Sequence, residues 1–306
     1  MIKLTAFSIF LFSSIQSYSQ NLELNGRIED LQTHKALPYA TLEVFSLKTG
    51  TVADQKGDFK LAIPATTSVA DTLVFSCVGY DKIKIAVDAF MKNENKTISL
   101  REDQFLLQDV VVLPKKYKTI TLGITESKPE SKQITNFFNN KIGNFIENKR
   151  AQTGWINTVS FYLDKEGHPE TPFRVRIFGV NVERNCPGMD LLNENLVVSA
   201  GKPGWFNIDV SEFHLQFPPE GAFVVMEWIN AGENYFYDKE VSMKNEKGEF
   251  VKETRKFYGQ AIGSVYRQPT LCTWGITLGN EWTPYSLFYK GYINAMIHAE
   301  IAYPLE

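Results

Sequence analysis

Gly50-Thr51-Val52-Ala53-Asp54-Gln55-Lys56-Gly57-Asp58-Phe59-Lys60-Leu61-Ala62-Ile63 is the stretch whose reading decides the fold. Asp54 to Gly57 is turn chemistry: an Asp side chain bonds backbone just ahead of it, and Gly57 is the residue most able to take a positive φ. Beyond the turn Phe59, Leu61 and Ile63 share a face with Lys60 on the other, the period of two that marks a half-buried strand. Thr49-Gly50 adds a second turn signal just upstream.

The same grammar repeats outward from this point. Upstream, Leu22 to Ile28 alternates, Asp30 to Lys35 is a polar turn, and Pro38 opens a strand with Ala40, Leu42 and Val44 on one face. Downstream, a strand from Thr72 to Val78 ends at Gly79-Tyr80. Ile83, Ile85 and Val87 then alternate against Lys82 and Lys84, and Lys96 to Leu100 closes the series. Short alternating strands at roughly ten-residue spacing predict a β-sandwich.

The run Gly26-Arg27-Ile28, Leu37-Pro38-Tyr39-Ala40-Thr41, Gly50 to Phe59 and Asp71 to Tyr80, with its Ser76-Cys77-Val78-Gly79-Tyr80 ending, resembles the carboxypeptidase-regulatory-like family. The resemblance implies a seven-stranded, transthyretin-type sandwich over residues 21–102, used for stability or contacts and without chemistry of its own. Phe105-Leu106-Leu107-Gln108-Asp109-Val110-Val111-Val112 resembles the segment that leads from this module into the body of outer-membrane receptors. A plug and barrel would need far more than the roughly 190 residues that follow, so no receptor is expected.

At the start of the chain, Met1 and Lys3 precede an apolar run from Leu4 to Ile15, then Gln16-Ser17-Tyr18-Ser19-Gln20. A charged start, an apolar middle and a small-residue exit predict a signal peptide over residues 1–20, too short for a spanning helix of about 20 apolar residues. Its removal takes one Lys from a net charge of -3, giving about -4. This balance offers no electrostatic footprint for nucleic acid. No later segment has the length of a transmembrane helix. The expected location is the periplasm, the outer membrane or the cell surface.

Residues 103–138, rich in Lys, Ser, Thr, Glu and Pro, read as a connector with one strand at Thr119–Ile124. From 139 to 306 the β pattern resumes, with strands expected at Gly143–Glu147, Ile156–Leu163, Phe173–Val182, Trp205–Val210, Ala222–Ile229, Arg255–Val265, Leu271–Ile276 and Tyr289–Tyr303. The turns between them are placed at Asp164–Pro169, Asn185–Met189 and Ala231–Asn234. Some eight strands predict a second sandwich of jelly-roll type, making the whole chain all-β. Pro172 to Ile177 and Gly204 to Val210 are similar to a domain that often follows the regulatory-like module in exported proteins.

Catalytic patterns are missing. The four His (His34, His168, His214, His298) show no His-Glu-x-x-His or His-x-x-Glu spacing, and no Gly-x-Ser-x-Gly elbow or phosphate-cradling glycine loop appears. No enzyme, metal or cofactor is expected. Asp164-Lys165-Glu166-Gly167-His168 lacks the spacing of a calcium loop and reads as a hairpin turn. Asp209 reads as solvated. Cys77 reads as a buried thiol, while Cys186 and Cys272 are the pair within the second half that export would allow to bridge.

Two features invite a binding reading. Glu227 shares a strand face with Phe223, Val225 and Ile229 beside Trp228. It is either a polar group on a ligand-binding sheet face or, preferred, an ion-pair partner of Arg174 or Arg176 or a solvated side chain. Tyr235-Phe236-Tyr237 cannot all point inward from one short strand, so they are candidates, with Trp228 and Glu227, for an exposed aromatic platform. The expected function is non-catalytic binding, adhesion or assembly with an envelope protein. The alternative is a carbohydrate-binding module on the second sandwich, with a glycan as partner.

Overall fold

The computed structural model describes residues 21–44, 46, 47, 49–103, 116–136, 140–244, 248–267, 271–276, 281–285 and 292–305. The stretch expected to be a signal peptide, the Phe105–Val112 segment and the first residues of the strand expected at Tyr289–Tyr303 lie outside the described residues.

The N-terminal module contains β1 (Leu22–Asp30), β2 (Thr41–Val44), β3 (Thr49–Val52), β4 (Asp58–Ile63), β5 (Thr72–Ser76), β6 (Ile83–Ala86) and β7 (Thr97–Leu100). A three-stranded sheet in the order β4-β1-β7 faces a four-stranded sheet in the order β3-β2-β5-β6, so the expected seven strands are present. Phe59, Leu61 and Ile63 point inward as the period of two requires. Phe59 meets Phe75 edge-on at 5.7 Å in the core between the sheets. The turn ahead of β4 forms as its chemistry dictates. Asp54 Oδ1 accepts the backbone N–H groups of Lys56 and Asp58, and Gly57 takes φ 77. Thr49-Gly50, by contrast, opens strand β3 rather than making a turn.

One element departs from the expected alternation. Val87 starts a single helix, α1 (Val87–Lys92), instead of ending β6. Val87 and Phe90, three apart, both fall on its buried side, and Asp88 pairs with Lys92 one turn on at 2.8 Å.

Sixteen strands follow among the described residues: β8 (Tyr117–Gly123), β9 (Ser131–Thr135), β10 (Lys141–Ile146), β11 (Gly154–Gly167), β12 (Phe173–Asn181), β13 (Cys186–Asp190), β14 (Val197–Val198), β15 (Gly204–Asp209), β16 (Gln216–Phe217), β17 (Ala222–Trp228), β18 (Phe236–Lys244), β19 (Phe250–Arg267), β20 (Thr273–Ile276), β21 (Thr283–Pro284), β22 (Tyr292–Ala295) and β23 (Ile297–Pro304). One sheet runs β13-β12-β17-β10-β20-β21 with β14 alongside β12; the other runs β18-β19-β11-β23-β8 with β9, β15, β16 and β22 attached. Their facing sides enclose a core containing Ile142, Ile156, Phe161, Phe173, Met226 and Ile301.

This is a sandwich with twice the strands expected. The connector is mostly sheet: β8 pairs β23 and β9 pairs β19, so the second module reaches back at least to Tyr117. β9 (SKQIT) and β13 (CPGMD) lack an apolar alternation, and β14, β16 and β21 are two residues long, which is why their sequences read as connection. Asp164 to Gly167 likewise continues β11 instead of turning.

β17 explains how the modules meet. All seven of its residues are buried. Ala222, Val224, Met226 and Trp228 enter the main core. Phe223 and Val225, on the other face, pack with Phe178 and are covered by Trp274 and Trp282. Just past the strand, Ile229 packs against Tyr39 and Val52 of the N-terminal module. The second face of this strand is buried because the first module and these aromatics sit on it.

Candidate functional site

Strand register places Glu227 between cations. Lys141 on β10 lies directly opposite it on one side and Arg174 on β12 directly opposite on the other, with Arg176 two residues along. Lys141 Nζ stands 3.2 Å from Oε1; Arg174 Nη1 stands 3.3 Å and Arg176 Nη1 3.6 Å from Oε2. The carboxylate is 2% exposed. Burial by itself would raise its pKa, but Lys141, Arg174 and Arg176 outweigh that effect and bring it down to about 2.

Arg174 is the hub. Its Nε donates to Asn195 Oδ1 at 2.8 Å, its Nη1 faces Glu227, and its Nη2 donates to the Tyr39 carbonyl of the first module at 2.7 Å. Arg176 is shared with Asp190. A cleft of about 260 Å³ beside this cluster is lined by Cys77, Lys82, Arg174, Glu227 and Trp282. Burial pushes the Cys77 thiol up, away from the reactive thiolate. Chemically the cluster is a joint: its carboxylate is ionised, surrounded and closed to solvent. That corrects the ligand-binding expectation for Glu227 and agrees with ion pairing to Arg174 and Arg176.

The expected aromatic platform is also absent. Trp228 is 3% exposed and donates from Nε1 to the Gln260 carbonyl at 3.0 Å. Tyr235 lies outside the strand, in a 3₁₀ turn at Glu233–Tyr235, and packs against the main core with Phe236. Phe236 meets Tyr258 at 4.8 Å; Tyr237 packs on Phe257 and His168, and burial raises its phenol pKa. The premise that three successive rings cannot all turn inward assumed a single strand. The turn before β18 and the long partner strand β19 give each ring a neighbour.

No disulfide joins Cys186 and Cys272. Cys186 belongs to edge strand β13, while the Cys272 carbonyl accepts from Phe145 N on the far side of β10, so β12, β17 and β10 intervene. At roughly 4.8 Å per strand the separation far exceeds the 7 Å limit for a bridge. Glu166, in the stretch read as a hairpin turn, pairs with Lys132 at 2.6 Å and with Lys239. Among the described residues no group of three His, Cys, Asp or Glu side chains is placed to hold a metal ion.

Sequence reasoning missed a groove of about 550 Å³ on the outer face of the second sandwich. Tyr117 and Thr119 of β8, Trp155 and Asn157 of β11, Asp209 of β15 and Glu300 of β23 line it. Asp209 is exposed as expected, and its Oδ1 accepts from Ser211 N at 2.9 Å and Ser211 Oγ at 2.6 Å, which lowers its pKa. The missed signal is the outward parity of these residues against the buried Ile156 and Ile301. It becomes a site only once β8 and β15 are known to flank β23 and β11.

A family model for the CarboxypepD_reg-like domain matches residues 24–112. Residues 24–112 are a CarboxypepD_reg-like domain. All but the first two residues of the seven-stranded module, its Gly57 turn and the Pro38-Tyr39 loop that receives Arg174 fall within it. Among solved structures, the chain is similar to the cysteine protease and lectin-like domains of Cwp84, a surface layer associated protein of Clostridium difficile. The identity is 14% over 60% of this chain and 36% of that one, with a TM-score of 0.37. The chain thus spans about a third of that structure. A clostridial Cwp84 cysteine protease after propeptide cleavage is similar at 12% identity, over 92% of this chain and 70% of that one, also with a TM-score of 0.37. No curated protein matches the chain.

Proposed function

We propose that this is an exported, non-catalytic protein of the bacterial envelope, acting in binding, adhesion or assembly through its second sandwich. The observation that carries the reading is the state of Glu227. With its pKa held at about 2 and three cations around it, it has no proton to give at neutral pH, and both its oxygens are already paired. The CarboxypepD_reg-like domain is then a supporting module, clamped to the second sandwich by the same cluster. The charged start, apolar run and small-residue exit of residues 1–20 support export. The partner is an envelope protein or glycan, and no cofactor enters.

Sedimentation of envelopes isolated from the source cell, mixed with protein comprising residues 21–306, tests this. Saturable retention without breakdown of envelope polymer is expected. Failure to be retained, or breakdown that disappears in Glu227→Gln, contradicts it.

A further inference from the structure

The outer groove is organised by strand register. Asp209, Thr158 and Glu300 stand side by side on β15, β11 and β23, and Trp155, Ala302 and Thr119 form a second row on β11, β23 and β8. Between the rows, Ile156, Ile301 and Ile120 turn the other way, toward the core. Ala302 is the smallest residue of its row, so the floor sinks between Trp155 and the β8 edge that carries Tyr117. Asn157 is the extra residue of a β-bulge. Ile156 faces Ile301 and Thr158 faces Glu300, leaving Asn157 unopposed, while its carbonyl accepts from Val210 N at 2.9 Å. Bulges of this kind re-aim side chains beside binding sites.

The chemistry of the lining selects a ligand. Two carboxylates, Asp209 and Glu300, accept hydroxyl protons; the amides of Asn157 and Asn207 both donate and accept. Trp155 and Tyr117 offer apolar ring faces to the groove, while Trp155 Nε1 is itself buried with no protein acceptor. The lining holds no Lys or Arg, so phosphate, sulfate and acidic polymers are repelled. An extended peptide is captured chiefly through unpaired backbone at a sheet edge, whereas this groove presents side chains across the face of four paired strands. The volume lies within the range of small-ligand sites, about 300–1,000 Å³. We infer that this groove is the recognition site and takes a neutral oligosaccharide, an assignment that rests on the binding function proposed above.

Calorimetric titration of protein comprising residues 21–306 with tetrasaccharides of glucose and of N-acetylglucosamine, in both anomeric linkages, tests the assignment. At least one is expected to bind, with affinity falling about tenfold or more in Trp155→Ala and in Glu300→Gln while Trp155→Phe keeps most of it. Absence of binding by every tetrasaccharide, or binding indifferent to both substitutions, overturns the assignment. So does preferential binding of a lysine-rich peptide that Glu300→Gln abolishes. Envelope sedimentation separates the two levels. Retention that survives Trp155→Ala and Glu300→Gln refutes the groove but leaves envelope binding intact, whereas retention lost in both variants supports the groove.

Discussion

Arg174 donates from Nη2 to the backbone carbonyl of Tyr39 at 2.7 Å, and through that bond the ion cluster of one sandwich reaches into the other. Tyr39 holds a left-handed backbone at φ 60, a conformation that persists in a bulky residue only when its surroundings over-determine it. Those surroundings come largely from the second module. Asn195 Nδ2 donates to the Pro38 carbonyl at 3.4 Å, Asn230 Nδ2 donates to Val52 O at 3.3 Å, and Ile229 packs on Tyr39 and Val52.

Arg174→Ala is therefore expected to uncouple the modules. It leaves Glu227 with Lys141 and Arg176 only and removes the donor to Tyr39, at a cost of about 3–5 kcal/mol. The five Trp all lie in the second sandwich, so their fluorescence reports that module while far-ultraviolet circular dichroism reports both. In urea the two signals coincide for the wild type and separate for the variant.

Acid should weaken the same joint. Glu227 titrates at about 2 when folded, against an ordinary 4.5. A depressed folded pKa contributes stability that is complete above about 4.5 and drains away as pH falls toward about 2. Glu227→Gln is expected to be about 3–5 kcal/mol less stable than wild type at pH 7. Denaturant titrations at successive pH values should show that gap narrowing below pH 4.5 and nearly closed at pH 2.

Gly57→Ala tests the turn that opens β4. Gly57 has φ 77, and a Cβ there would meet the Ile28 carbonyl oxygen at 2.5 Å. A loss of about 1–3 kcal/mol is expected, visible as an earlier transition in circular dichroism with the tryptophan signal less affected.

The thiols give a redox prediction. With no disulfide among Cys77, Cys186 and Cys272, dithiothreitol should leave the melting temperature unchanged, and denatured protein should react with three equivalents of an alkylating agent without prior reduction.

Much of this architecture is legible in the residues. The alternation of Phe59, Leu61 and Ile63, the Asp54–Gly57 turn and the Ser76–Tyr80 ending define the first module because each is a local signal. The parity that groups Glu227 with Phe223, Val225 and Ile229 is likewise local, and the structure agrees with it. What covers that face is not local. Only the docking of the first module turns an apparent ligand-facing carboxylate into a buried joint. β8 is legible as a strand at Thr119–Ile124, but its place in the second sandwich is not. β9 hides in the polar connector because a strand with an exposed face carries few apolar residues, and the outer groove, walled partly by β8, stays hidden as well. Its walls come from four strands spread between Tyr117 and Ala302.

Envelope retention of Glu227→Gln, measured below its melting temperature, tests most directly the claim that the ion cluster joins the modules and recognition lies elsewhere. The expected result is a half-saturation point equal to that of the wild type despite the lower stability. Loss of retention in a variant that remains folded at the temperature of the measurement would contradict it, and would place function at the cleft between the modules.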